Sequence, residues 1–257
     1  MTTPSHVGLS RLSRELYAEF LDRATRSGIT FLRFGDFLPG AAEPSGRFAL
    51  LRHDVDFAPA HSLELAELEH AAGIASTYFV LVDGQFYNPV SAEVVDQIRA
   101  IHALGHEVGL HFAVSSAAHP DLGDEVAFRL RLLEEIVGAP VRSFSQHDPV
   151  NAGFAPVALP AGHEPCVDAY QVVRDHDLLY VSDSAMMWRE HTFADALEQD
   201  RNLCLVAHAH SWLHPQDDYV AMVREFESRE VGRVSGSFDG FVDGLVDYYR
   251  RRADEGA

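Results

Sequence analysis

The stretch Phe48–Phe57, FALLRHDVDF, decides how the rest of the chain reads. Four apolar residues, Phe48 to Leu51, run without a break into Arg52, His53, Asp54 and Asp56. Such a run suits a strand buried on both faces, as in a parallel sheet. Side chains two apart on a strand point the same way, so Asp54 and Asp56 fall on one face at its C-terminal end. One carboxylate there can bind a metal while the other takes a proton from the water the metal activates. The competing reading is a turn whose aspartates cap backbone amides. The apolar run leading directly into the motif argues against it.

Working outward, apolar β-rich runs alternate with helical patterns, which predicts βα units and a distorted parallel (β/α) barrel. ASTYFVLV (75–82), HEVGLHF (106–112), VRSFSQHD (141–148), HDLLYVSDS (176–184) and LCLVAHAH (203–210) read as strands. RLSRELYAEFLDRATRSG (11–28), AHSLELAELEHAAG (60–73), AEVVDQIRAIHALG (92–105) and DEVAFRLRLLEEIVG (124–138) read as helices, each stopped by a glycine. In the second helix Leu63, Ala66, Leu68 and Ala71 fall near helical spacing. DDYVAMVREFESRE and DGFVDGLVDYYRRRAD predict two closing helices. No linker or repeat interrupts the pattern. The expectation is one domain over 1–257: a helical lead-in to residue 47, a motif-bearing barrel over 48–210, and C-terminal helices over 211–257.

Polar residues recur at the ends of these strands: Asp54 and Asp56, then His111, His147, Asp183 and His208. In parallel α/β barrels, side chains at the C-terminal strand ends converge on one mouth.

Composition narrows the chemistry. The 257 residues are 47% hydrophobic, enough for one large core, and carry a formal net charge of −19. A surface this acidic repels phosphate backbones and anionic membranes, so neither nucleic acid nor a lipid surface is expected as a partner. All twenty basic residues are Arg. Without lysine, a phosphate-gripping P-loop and Schiff-base catalysis are both excluded. The two cysteines, Cys166 and Cys204, form no metal-binding pair. The N-terminus shows no apolar signal core, and no run is long enough to span a bilayer, which predicts a cytoplasmic protein.

Histidine is abundant, at fifteen copies. Neutral imidazole is the commonest nitrogen ligand for zinc. His111 closes a strand, whereas His106, five residues earlier, points to the opposite face. In HAHSWLH (208–214), His208 and His210 would share a strand face and form a ligand pair of their own.

Four motifs taken in order, RHDVD (52–56), GIASTYFVL (73–81), GHEVGLH (105–111) and LVAHAH (205–210), resemble the polysaccharide deacetylase family of metal-dependent carbohydrate esterases. RHDVDF and EVGLHF are similar to a cytoplasmic-type branch associated with surface-polysaccharide genes. The resemblance implies a distorted (β/α) barrel that removes acetyl groups from sugars, using a divalent metal, usually Zn2+, held by one Asp and two His. It implies Asp54 as general base, Asp56 and His111 as metal ligands, and His208 as general acid. Asp183 and Trp188 fall where the family has an Asp and a Trp supporting the site. The family's second metal histidine comes four residues after the first, where this chain has Ser115. Two residues can replace it: His119, in HPDL (119–122), or His147, in SFSQHDP (143–149). The family also places an Arg near His147 to hold the base aspartate, and that Arg is missing there. His210 is expected at the polar rim of the substrate site, with Tyr78, Tyr87, Trp188 and Trp212 as stacking walls for a sugar ring.

These readings converge on a hydrolase that removes an acyl group, foremost N-acetyl, from a sugar or a small-molecule amide in the cytoplasm. Two others stand beside it. One is a hydrolase of another C–N bond whose metal sits on His208 and His210. The other is an inactive barrel that binds a glycan or a protein partner, a reading motivated by Ser115.

Overall fold

The computed structural model describes residues 12–84, 86–114, 121–149, 153–215 and 218–255. The chain divides into two compact units, Met1–Pro215 and Gln216–Ala257.

The first unit is built on one all-parallel sheet. Its strands are β1 (Thr30–Leu32), β2 (Phe48–Val55), β3 (Thr77–Leu81), β4 (Glu107–Phe112), β5 (Ser143–Gln146), β6 (Val167–Asp168), β7 (Leu179–Ser182) and β8 (Leu203–Ala207). Their order is β6-β5-β4-β3-β2-β8-β7, with β1 added alongside the start of β2. No pairing joins β6 to β7 among the described residues, so the sheet curls without closing. It is the distorted (β/α) barrel expected from the sequence. The helices are α1 (Arg14–Arg26), α2 (Pro59–Ala71), α3 (Ala92–Ala103), α4 (Leu122–Val137), α5 (Ala169–Asp175), α6 (Phe193–Leu197) and α7 (Ala209–Leu213).

The pleat sorts the central strand into two layers. Leu50 packs with Phe34, Phe48, Phe79, Cys204 and Val206 on the inner face. Val55 joins Tyr78, Val80, Val108, Leu110, Ile98 and Leu130 in the layer between sheet and helices. The register aligns Asp54 with Phe79, Phe79 with Gly109, and Leu81 with His111. A Cβ at Gly109 would lie 2.6 Å from both the Phe79 ring and Ser143 Oγ, so only glycine fits this crowded inner position.

Local signals set the helix ends. Ser13 accepts a hydrogen bond from Leu16 N at the start of α1, and Pro59 opens α2. Gly73, at φ 72°, follows α2 in the left-handed conformation the stop required. The buried face of α2 departs from the spacing of Leu63, Ala66, Leu68 and Ala71. Pro59, Ser62, Leu65, Ala66 and Glu69 are the residues buried, and Glu69 goes inward because a polar network receives it.

The second unit is a single helix, α8 (Tyr219–Glu255), of 37 residues, where two helices were expected. The glycines of the VGRVSGSFDG stretch sit inside it, each costing helix propensity without ending the helix. Among the described residues, no helix is long and apolar enough to cross a membrane.

Candidate metal centre

The inner face of β2 presents Arg52, Asp54 and, just beyond its end, Asp56. Each follows the last by two residues and all are buried. His111 arrives at the end of β4, His147 directly after β5 and His208 directly after β8. Five strand-end residues named from the sequence, Asp54, Asp56, His111, His147 and His208, therefore meet at one mouth.

Asp56, His111 and His147 form a three-sided cradle. Their ligand-capable atoms all lie within 4.8 Å of one another. Asp56 Oδ1 is 3.7 Å from His111 Nε2 and 3.4 Å from His147 Nδ1, and the two ring nitrogens are 3.1 Å apart. His111 Nδ1 lies 2.9 Å from the carbonyl oxygen of Ser145. A carbonyl only accepts, so Nδ1 carries the proton and Nε2 turns its lone pair into the cradle. Asp56 Oδ1 is buried and makes no hydrogen bond. A buried carboxylate oxygen left unpaired is costly, and one facing two imidazole nitrogens fits a divalent cation. One carboxylate and two imidazoles form a donor set suited to a divalent cation such as zinc.

Charge in the cradle follows from its neighbours. Burial pushes the Asp56 carboxyl up, but His147, His111 and His208 outweigh it and hold the group well below the usual carboxylate range. Burial lowers His111, whereas the contact with Asp56 raises His147.

Asp54 is held from its own strand. Arg52 Nε donates to Asp54 Oδ1 at 3.0 Å and Nη2 donates to Oδ2 at 2.8 Å. The guanidinium lies between the rings of Phe79 and Tyr170, 5.0 Å from each centroid. Burial would raise Asp54; Arg52 first, then His111 and His208, bring it below its ordinary value. Arg52 thus holds Asp54 from its own strand, whereas the resemblance implied an Arg near His147. A pairwise strand reading would have found it, since Arg52, Asp54 and Asp56 share one face.

His208 is oriented by Asp183. Its Nδ1 lies 2.5 Å from Asp183 Oδ1, and its backbone N–H donates to Oδ2 at 3.0 Å. Trp212 Nε1 donates to the same Oδ2 at 2.6 Å. The remaining ring nitrogen, Nε2, points to the cradle, 3.8 Å from Asp56 Oδ2. Burial depresses the imidazole, but Asp183, then Asp56 and Asp54, outweigh it and push it up to about 9.

The other expected site residues fall elsewhere. Tyr78 lies on the opposite face of the sheet, fully buried, stacked on His53 at 4.2 Å and donating its hydroxyl to Glu69. It cannot form a wall for a sugar ring. Trp188 is also buried, packed edge-on against Phe193 and Trp212 behind Asp183, so it supports rather than lines the site. His210 is not on a strand: β8 ends at Ala207, and His210 sits in α7 against Phe57, 4.8 Å between rings. Its ring is 5.6 Å from that of His208, and burial, then His208, push it down to about 3. The turn from strand to helix removes the shared face on which a His208–His210 ligand pair depended. His119 and Ser115 lie outside the described residues.

No family model and no curated protein matches the chain. Solved structures resemble it. IcaB from Ammonifex degensii is 19% identical with a TM-score of 0.41, over 88% of this chain and 92% of that one. The Streptococcus pyogenes deacetylase PplD is 14% identical with a TM-score of 0.40, over 51% of this chain. A CE4 family pseudoenzyme from Bacillus anthracis is 13% identical with a TM-score of 0.40, over 73% of this chain. The alignments span 61% of PplD and 63% of the pseudoenzyme, less than two thirds of either.

Proposed function

We propose that the protein is a zinc-dependent hydrolase that removes an acyl group, foremost N-acetyl, from a sugar or a small-molecule amide. One observation carries the reading. A cradle of Asp56, His111 and His147 is flanked by a carboxylate locked to an arginine and by an imidazole locked to a buried carboxylate. A pure binding module needs no such division between a group that takes a proton and one that gives it.

A divalent cation in the cradle would polarise the acyl carbonyl and make a water more acidic. Asp54, kept ionised by Arg52, takes the proton of the attacking water. His208, kept protonated by Asp183, turns Nε2–H toward the cradle and gives its proton to the leaving nitrogen or oxygen. The departing amine or alcohol is thereby neutral as the carbon–heteroatom bond breaks. No covalent intermediate on the protein is needed. The resemblance of RHDVDF and EVGLHF to the cytoplasmic-type branch supports a cytoplasmic sugar derivative or glycan precursor as substrate.

The test is acetate release from a panel of N-acetylated mono- and oligosaccharides by protein purified without a histidine tag. Release should be lost when a chelator strips the metal, return on adding Zn2+, and fall by about 100- to 10,000-fold in Asp54→Asn. Zinc uptake without turnover across the panel, or turnover indifferent to Asp54→Asn, would remove the deacylase reading.

A further inference from the structure

The helix α8 exposes large apolar side chains, six of them at a regular interval. Val231, Val234, Phe238, Phe241, Leu245 and Tyr248 all face solvent, with Phe238 at 65% and Phe241 at 68% exposure. They recur at spacings of three and four, the a/d pattern of a coiled coil. Gly232, Gly236 and Gly240 and the acidic Asp239, Asp243 and Asp247 fall on the side away from this seam. A Cβ at any of these three glycines would meet nothing within 4 Å, so they face open space and no close-packed neighbour. Aspartates and glutamates together outnumber the arginines along this helix, which also disfavours an anionic membrane as the occupant.

We propose that the seam is covered by a second copy of this chain, with the two α8 helices running antiparallel and making the protein a twofold dimer. Centring the pair between Asp239 and Gly240 matches every layer. Val231 meets Tyr248 of the second copy, Val234 meets Leu245, and Phe238 meets Phe241, each contact occurring twice by symmetry. The same alignment sets Glu230 opposite Arg251 of the second copy, a pair of opposite charge flanking the last apolar layer at each end. A parallel pair brings Glu230 beside Ser235 instead and gains no such contact. Antiparallel pairing thus buries the whole seam and brings opposite charges together at its ends, Glu230 keeping its bond to Arg233 of its own helix.

The test is the mass of the full-length protein in solution by light scattering at micromolar concentration. A dimer of two 28.4 kDa chains is expected, and Phe238→Asp combined with Phe241→Asp should give a monomer whose barrel melts as in the wild type. Glu230→Arg should raise the dimer Kd about tenfold, and adding Arg251→Glu should restore it. In a Cys166→Ala background, Val231→Cys should form a disulfide with Tyr248→Cys when the two variants are mixed, and not with itself. A monomeric wild type, a dimer indifferent to the Phe substitutions, or self-linking through position 231 would each overturn the proposal.

Discussion

Arg52 and Asp54 lie two residues apart on one strand and are joined by two hydrogen bonds, Nε to Oδ1 at 3.0 Å and Nη2 to Oδ2 at 2.8 Å. The fork geometry of guanidinium and carboxylate fixes the Asp54 plane, and the Phe79 and Tyr170 rings fix the guanidinium. The proposed general base therefore stands on the same strand as the arginine that holds it, with the proposed metal ligand Asp56 just past the strand's end.

The consequence for catalysis is a shift with a definite sign. Arg52 is the chief group holding Asp54 below its ordinary value against burial, so its removal must raise that carboxyl. Arg52→Met should move the acid limb of the kcat/KM profile to higher pH and lower its plateau by about 100-fold. It should also destabilise the fold by about 3–5 kcal/mol, since it strands a buried charge. Arg52→Lys restores the charge without the fork and should fall between the two. An acid limb unmoved in both variants would mean that Asp54 does not titrate as the base.

Metal content separates the two candidate third ligands. His147 Nδ1 faces Asp56 and His111 directly. Elemental analysis of tag-free protein should find about one equivalent of zinc in the wild type and in His119→Ala, and far less in His147→Ala. Retention in His147→Ala with loss in His119→Ala would transfer the ligand role.

How legible all this was depended on the distance over which each feature is encoded. The strand FALLRHDV and its paired aspartates could be read because burial and a period of two act within eight residues. The meeting of His111, His147 and His208 at one mouth followed once each was placed at a strand end. Tyr78 was misplaced because an aromatic on a strand gives no sign of which face is solvent-lined. Its partner Glu69 lies on a helix, and nothing in AELEHA marks one acidic residue as buried. His210 was misplaced because HAHSWL continues an apolar strand pattern through the point where the chain turns into α7. The short strands β1 and β6 and the short helices α5 to α7 carry too few residues for periodicity to register.

Asp183 gives His208 its own pH signature. The carboxylate raises the imidazole to about 9, so the acid stays protonated through neutrality and is lost as pH rises through that value. A basic limb of kcat/KM above neutral pH is expected, below 9 because a cation on Asp56 would offset part of the charge that raises the imidazole. Asp183→Asn removes the main charge that raises the imidazole and should draw this limb toward neutral pH while leaving zinc content unchanged. A basic limb that stays in place in Asp183→Asn would assign it to another group.

The polar network on the opposite face of β2 makes a stability prediction independent of the site. Glu69 is fully buried and surrounded by donors: its Oε1 accepts from Tyr17 and faces His53 Nε2 at 2.6 Å, and its Oε2 accepts from Ser76 at 2.5 Å and Tyr78 at 3.0 Å. Burial would raise this carboxyl, yet His53, then His106 and Ser76, bring it below its ordinary value. A group lowered on folding contributes stability above its unfolded value, near 4.5, and that contribution is lost as pH falls through the lower folded value. Glu69→Gln turns an amide NH2 toward groups that themselves donate, and should cost about 3–5 kcal/mol in urea unfolding at neutral pH. Between pH 5 and the onset of acid unfolding, the variant should lose less stability than the wild type. Zinc content should not change, because Glu69 and the cradle lie on opposite faces of the strand. Equal acid sensitivity in the two proteins would show that another carboxylate governs acid unfolding, whereas loss of zinc in a stably folded Glu69→Gln would couple the two faces through His53.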